Sequence, residues 1–291
     1  MTSGGMRLAT RGSRLALAQA ALAVERLSAA GIDGLETVII RTQGDERSGT
    51  PVERLEGDGW FSAALELALS EGRADGAVHS AKDLPSGLAA GLGVAAFLER
   101  ADCRDALVTR DGRGLGELRS GASIGTSSAR RAAFLQVLHP ELRVVPIRGN
   151  VDTRLRRLED GDVDGLLLAC AGLDRLGAAA QISERLDPRI FVPAPCQGAI
   201  AIETRYQGEA ATLCAAADHP QTRVAAAAER AVLAALGGGC LLPLGAWARF
   251  DGARLVLTAA LESGGELRRV ELSGHATSPQ ELGERVAARL R

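Results

Sequence analysis

An internal repeat limits what this 291-residue chain can fold into. Gly72-x-x-Asp75-Gly76 recurs as Gly161-x-x-Asp164-Gly165, and Leu84 answers to Leu173. The same series of signals stands ahead of each copy. Arg7 to Thr10 reads as a short strand, Arg11-Gly12-Ser13-Arg14 as a small polar turn, and about Leu15 to Ala29 as an alanine-leucine helix. Ile124-Gly125-Thr126-Ser127-Ser128-Ala129-Arg130-Arg131 repeats strand, turn and helix. Leu35 to Arg41 and Arg143 to Arg148 repeat a strand that ends in arginine. A repeat of this size implies two similarly built α/β domains, each presenting strand ends and helix starts to a ligand.

The rest of the chain fits around that pair. Segment Arg47 to Gly59 is rich in Gly, Pro and charge without periodicity and reads as a lid loop. A helix over about Phe61 to Ser70 leads into the strand Gly76-Ala77-Val78, and another strand runs from Val94 to Glu99. Arg100 to Arg104 is a crossing into the second copy, and the Pro/Gly segment Phe191 to Gly198 is a crossing back. The apolar strand Ala199 to Glu203 then rejoins the first sheet. Beyond it come a helix from Gln221 to about Leu236, strands near Leu244 to Phe250, Arg254 to Leu261 and Leu267 to Leu272, and a helix from Pro279 to Leu290. The expected fold class is α/β: two lobes with mixed sheets joined by two hinge crossings, and a cleft between them, plus a small C-terminal α+β domain. The expected divisions are 1–99 with 199–218, 104–193, and 221–291.

Composition excludes several classes. At 46% hydrophobic and 24% charged the chain can bury a real core. No apolar run approaches the roughly 18 residues of a membrane span, and no basic segment leads into an apolar signal core at the amino terminus, so the cytoplasm is expected. A net charge of −2 and 3% aromatics argue against a nucleic-acid binder. Cys103, Cys170, Cys196, Cys214 and Cys240 are scattered with no C-x-x-C pair, so neither a disulfide framework nor a metal site is expected. His79, His139, His219 and His275 show no ligand spacing, although His79 lies close enough to Asp83 to orient something.

Three constellations can carry chemistry. Lys82, the only lysine in a chain with 34 Lys plus Arg, stands beside Asp83 where the strand ends and Leu84-Pro85 turns away. The repeat supplies a control, because the second copy has Ala171-Gly172 at those positions. The fold therefore needs no charge there, and the pair is a site candidate. The second set is Arg11, Ser13, Ser127, Ser128, Arg130, Arg131, Arg148, Arg154 and Arg175, each at or just beyond an expected strand end or helix start. Arginine forks and helix-start hydroxyls suit a ligand with several carboxylates. The third is Cys240, an accessible thiol behind Gly237-Gly238-Gly239.

The motifs A-T-R-x-S (Ala9 to Ser13), V-H-S-x-K-D-L-P (Val78 to Pro85), G-T-S-S-x-R-R (Gly125 to Arg131), R-G-N-V-x-T-R (Arg148 to Arg154), A-G-L-x-R-L-G (Ala171 to Gly177), Q-G-A (Gln197 to Ala199) and G-G-C (Gly238 to Cys240) together resemble the porphobilinogen deaminase family, over nearly the whole chain and in order. The resemblance implies periplasmic-binding-protein-like lobes and a transferase that joins four porphobilinogen units head to tail with loss of ammonia, giving hydroxymethylbilane. It implies a covalent dipyrromethane cofactor on Cys240, held by Lys82, Ser128, Arg130, Arg131 and Asp83. Asp83 would be catalytic, and Arg11, Ser13, Arg148, Arg154, Arg175 and Gln197 would bind substrate. Porphobilinogen would be the partner, with no nucleic acid or membrane, and the protein a monomer. Two departures stand out: Gly57 to Ala64 lacks the lysines common in relatives, and Cys196 replaces a common glycine. The competing readings are a non-enzymatic two-lobed binding protein for a polyanion, and a cysteine hydrolase lacking a recognisable His partner.

Overall fold

The structure, a computed structural model, describes residues 5–41, 62–239 and 241–291. The lid read over Arg47 to Gly59 and the cysteine Cys240 lie outside the described residues. In chain order, β1 (Met6–Thr10), α1 (Arg14–Ala29) and β2 (Leu35–Ile39) are followed by α2 (Ala63–Ser70), β3 (Gly76–Ser80), a 3-10 turn (Ala81–Asp83) and β4 (Leu92–Phe97). Then come β5 (Asp105–Thr109), β6 (Ser123–Gly125), α3 (Ala129–Leu138), β7 (Arg143–Val145), α4 (Val151–Glu159), β8 (Gly165–Ala169), α5 (Cys170–Arg175) and β9 (Glu184–Arg185). The chain continues as β10 (Ile200–Arg205), α6 (Glu209–Ala215) and α7 (Pro220–Ala235). It ends as β11 (Leu244–Asp251), β12 (Arg254–Ser263), β13 (Glu266–His275) and α8 (Pro279–Leu290). Among these helices none is long and apolar enough to cross a membrane.

Two compact units result, Met1–Ala101 with Ala199–Arg223, and Asp102–Gly198 with Val224–Arg291. The first holds a sheet of order β2-β1-β3-β10-β4, in which β1, β2 and β3 run parallel and β10 is antiparallel to both neighbours. The second holds β7-β6-β8-β5-β9, with β5 in the antiparallel place that β10 takes in the first. In both, the antiparallel strand is the first one formed after a crossing. The second unit also carries the antiparallel sheet β11-β12-β13.

The repeated residues explain why the parallel strands register alike. The Asp75 N–H donates to Arg7 O at 2.9 Å, and its carboxylate accepts from the Arg7 N–H at 2.9 Å. Asp164 does the same to Ser123, at 2.8 Å and 2.7 Å, and also accepts from the Ser123 hydroxyl at 2.7 Å. Each aspartate closes the ladder at the start of the neighbouring strand. The glycine that follows lets the strands approach: a Cβ on Gly76 would lie 2.8 Å from Leu8 Cδ2, and one on Gly165 3.0 Å from Ile124 Cδ1. Gly72 and Gly161, at φ 69° and 85°, make the left-handed turn that brings each aspartate round.

Burial completes both units. Leu8, Val78 and Ile202 pack with Ala20, Ala23 and Leu27 of α1, while Ala9 and Ala77 face Leu65, Ala68 and Leu69 of α2. In the second unit Phe134, Leu135, Leu107 and Leu167 are fully buried, and Phe191, Val192 and Ala260 share their cluster with Trp247 and Leu267 against it. Each such large side chain contributes about 1.5–3 kcal/mol by leaving water. Glu229 of α7 ties the last sheet to the crossing segment, its fully buried carboxylate accepting from the N–H groups of Cys196 at 2.5 Å and Ala248 at 2.7 Å.

The hydrogen bonds from Ser123, helped by Arg119, lower the Asp164 pKa to about 2. A depressed carboxyl stabilises the fold fully above the ordinary range near about 4, and that contribution is lost as the pH falls toward the folded-state value. Asp164→Asn is therefore expected to cost about 1 kcal/mol at pH 7, a figure discounted for partial exposure. In urea denaturation the gap from the parent should narrow steadily below pH 4; a gap independent of pH would refute this account.

Candidate active site

In the first unit, β1 and β3 are parallel neighbours, so whatever follows them leaves the same edge of the sheet. Arg11 and Ser13 follow β1; Lys82 and Asp83 lie in the turn that follows β3. That turn is held at both ends, by the Ala81 N–H on Ala199 O at 3.0 Å and the Leu84 N–H on Ala81 O at 3.3 Å. Ala81 and Leu84 are buried, Lys82 is half-buried and Asp83 is exposed. Apolar anchors on either side thus present the charged pair outward. Ser13 caps α1, its hydroxyl oxygen accepting from the Ala16 N–H at 3.2 Å. A capping serine keeps its own O–H to donate, so Ser13 can offer a proton to a carboxylate while holding the helix start.

Gln19 was missed by sequence reasoning. It is buried on α1, and its amide meets the Ser80 hydroxyl at two points, Nε2 donating at 2.9 Å and Oε1 accepting at 3.0 Å. Ser80 is the residue before the turn, so the contact steadies the base of the Lys82-Asp83 pair. The available signal was a polar residue on the inner face of an alanine-leucine helix.

The second unit repeats the arrangement without the charged turn. Ser128 caps α3 and accepts from the Arg131 N–H at 3.4 Å, while the Ser127 hydroxyl donates to Ile147 O. Arg148 follows β7, and Arg154 folds back so that Nε donates to Gly149 O at 2.7 Å. Gly149, at φ 108°, lies where a Cβ would press on Thr153. Arg175 closes α5 and donates to Gly198 O at 2.7 Å. Burial lowers its pKa to about 10, partly offset by Asp174, so it stays a cation at neutral pH.

Arg130, Arg131 and Gln197 meet within the second unit. Both arginines are buried and face Asp105, which has no exposure at all. Arg130 stands 2.8 Å from Asp105 Oδ2 and donates to Val192 O at 2.8 Å. Arg131 donates to Asp105 Oδ1 at 2.8 Å, to Leu167 O at 3.0 Å and to Gln197 Oε1 at 3.3 Å. Gln197 Nε2 in turn donates to Cys103 O at 2.9 Å and Asp105 Oδ1 at 3.0 Å. Burial alone would raise the Asp105 carboxyl, but the two guanidinium charges outweigh it and hold the group far below the usual carboxylate range. Phe134 and Phe191 pack on the Arg130 guanidinium. The two cations neutralise Asp105, as an aspartate buried this deeply requires.

Two units of one build, with hydroxyl and guanidinium donors at strand ends and helix starts, define an α/β protein suited to a ligand rich in carboxylates. The match to known families is specific. Residues 6–212 match the model described as porphobilinogen deaminase, dipyromethane cofactor binding domain, and residues 224–291 that of the porphobilinogen deaminase C-terminal domain. Porphobilinogen deaminase of Acidothermus cellulolyticus is 44% identical over 98% of this chain and 88% of its own length. That of Roseiflexus castenholzii is 43% identical over 98% of this chain and 95% of its own. A solved structure of the periplasmic VFT2 domain of Bordetella pertussis BvgS overlaps 73% of this chain and 86% of that one at 19% identity, with a TM-score of 0.43, too distant to bear on function. The chain belongs to the porphobilinogen deaminase family.

Removing one member of the buried ionic cluster leaves Asp105 undercompensated, a change that costs about 3 kcal/mol in comparable sites. Arg131→Leu is expected to lower the unfolding free energy measured in urea by that amount, and Arg131→Lys to recover little of it, since an ammonium cannot reach three separate acceptors in the guanidinium plane. Native-like stability in Arg131→Leu would show that the cluster is not structural.

Proposed function

We propose that Asp83, presented by the turn after β3, is the residue that carries the chemistry. Family membership makes the protein a transferase that condenses four porphobilinogen molecules head to tail, releases ammonia and yields hydroxymethylbilane. Each pyrrole bears an acetate and a propionate, so substrate and growing product are polyanions. Loss of ammonia from porphobilinogen leaves a cationic methylene carbon, which a pyrrole carbon attacks. A carboxylate close to that cation stabilises it and can take the proton that the attacking pyrrole carbon loses once the new carbon–carbon bond has formed. The observation that supports Asp83 is its placement: exposed, on a turn whose flanking residues are buried, at a position where the equivalent turn of the second unit has no charge.

The donor set at the strand ends fits a carboxylate-rich cofactor. Bound dipyrromethane supplies a primer to which further pyrroles are joined. Lys82 and Ser128 would hold its carboxylates, and Arg11, Ser13, Arg148, Arg154 and Arg175 those of the substrate. We assign Arg130, Arg131 and Gln197 to framework duty, on the strength of their contacts with Asp105. Cys240 is our attachment point, by its place in the Gly238-Gly239-Cys240 motif. The thiol needs alkylating only once per enzyme molecule, so accessibility matters more than a depressed pKa. We read the protein as a cytoplasmic monomer, and its net charge of −2 does not favour nucleic acid.

Two measurements test this. The intact mass should exceed the sequence mass by one dipyrromethane, and the excess should vanish in Cys240→Ser; an active protein of unmodified mass would sink the assignment. Asp83→Asn should keep the adduct and the fold while losing about 100-fold or more in kcat, and near-parental turnover in that variant would remove Asp83 from the chemistry.

A further inference from the structure

Directly behind the catalytic turn lie a buried glutamate, a half-buried one and a buried histidine that the reaction does not use. Glu203 of β10 has no solvent exposure. It sits at a register irregularity between Ile202 and Glu203 in the pairing of β10 with β4. Such irregularities re-aim a side chain, and here the one re-aimed is a carboxylate. His79 of β3 is 7% exposed, and its Nε2 stands 3.1 Å from Glu203 Oε2. The register pairs Ala201 with His79 and Glu203 with Ala77, so His79 and Glu203 share one face of the sheet. Glu66 of α2 is on that face too. Its pKa is raised, first by burial and then by the charge of Glu203, with Ser62 and His79 opposing.

The energetics single this group out. Leu65, Ala68, Leu69 and Ala77 line the same face, and an apolar residue at position 203 would complete that layer at no desolvation cost. Instead the layer contains two carboxyls and an imidazole. The contact between His79 and Glu203 is close but not an aligned bond, since His79 Nε2 and both Glu203 oxygens lack a hydrogen-bond partner of good geometry. A buried polar group in that state is costly, and keeping one calls for a purpose. The contact joins β10 to β3 just before the turn: Ala201 and Ile200 pair with His79 and Ser80, and the Ala81 N–H on Ala199 O extends the same ladder into the Lys82-Asp83 segment.

We infer that Glu203 and His79 are a positioning pair for Asp83: their contact fixes the last residues of β3 against β10 and so sets where the catalytic carboxylate stands. The inference rests on Asp83 being the reacting group. A pair with this duty acts on kcat through geometry and leaves substrate capture, which depends on the arginine and serine donors, alone.

The test uses the cofactor-loaded enzyme and the variants Glu203→Gln, His79→Gln and their double mutant, with Asp83→Asn alongside. Glu203→Gln keeps the shape and replaces a buried carboxyl that has no aligned partner, so its thermal midpoint should be no lower than that of the parent. Its kcat should nevertheless fall about tenfold with KM within about twofold, and its intact mass should keep the adduct. His79→Gln should lose a similar factor, and the double mutant no more than either single change, because both act through one contact. A Glu203→Gln enzyme with kcat within twofold of the parent overturns the inference, as does a double mutant whose losses multiply. If Asp83→Asn retains parental turnover, the assignment of Asp83 fails first; if it is inactive while Glu203→Gln is normal, only the positioning role fails.

Discussion

The second unit depends on one carboxylate that water cannot reach. Asp105 opens β5 with no exposure, and a lone charge in such a place would be prohibitively unstable. Arg130 and Arg131 from the first turn of α3 neutralise it, and they also donate to Val192 O, Leu167 O and Gln197. Gln197 then binds Cys103 O. The segments by which the chain enters and leaves this unit, near Cys103 and Gln197, are thereby held to each other and to the start of α3. Ser128, the capping residue of α3, is placed by the same helix turn. A ligand donor at that helix start is therefore only as well fixed as the ionic cluster one turn behind it.

The two units show how one scaffold presents a charged turn in a single copy. After β3 the chain makes a short 3-10 turn whose middle and last residues, Lys82 and Asp83, reach the surface. After β8 the equivalent residues enter α5, where Cys170, Ala171, Gly172 and Leu173 are all buried. A lysine and an aspartate at positions 171 and 172 would have to desolvate inside that helix packing. The second copy therefore contributes donors from its loops and helix starts. The copies share the aspartate-to-strand lock at Asp75 and Asp164, which sets strand register in both and says nothing about function.

Much of this was legible in the sequence. The repeat pointed to two α/β units, and the strands and helices that were expected fell within a few residues of those observed, since their patterns are local: Gln221 to Leu236 became Pro220–Ala235, and the last strand extended to His275, while β5, α4 and α6 were not expected. The two-residue β9 carried no such pattern. Lys82 and Asp83 stood out because the second copy lacks them. The role of Arg130 and Arg131 did not, because Asp105 is separated from Arg130 by 25 residues and only the folded sheet brings them together. Gln19 and Glu203 were hidden for the same reason, each buried and answering to a partner on another strand or helix.

Yet the repeat held a clue to those arginines. Ser13 and Ser128 are equivalent helix caps, so Arg130 and Arg131 correspond to Leu15 and Ala16. In the ladders, Asp105 pairs with Ala169 as Ile200 pairs with Ser80, and Ala169 and Ser80 are themselves equivalent. Asp105 therefore occupies the place of Ile200. Where the first unit has Leu15, Ala16 and Ile200, the second has two arginines and an aspartate. An apolar trio is compatible with this fold, as the first unit demonstrates. A buried ionic trio is seldom more stable than an apolar one, but it penalises every arrangement that separates its members. Apolar side chains would tolerate a slipped helix start or a shifted crossing; guanidinium groups bound to one carboxylate and several carbonyls do not. The exchange gives the second unit definition in the two crossing segments and the α3 start, where Ser128 caps the helix.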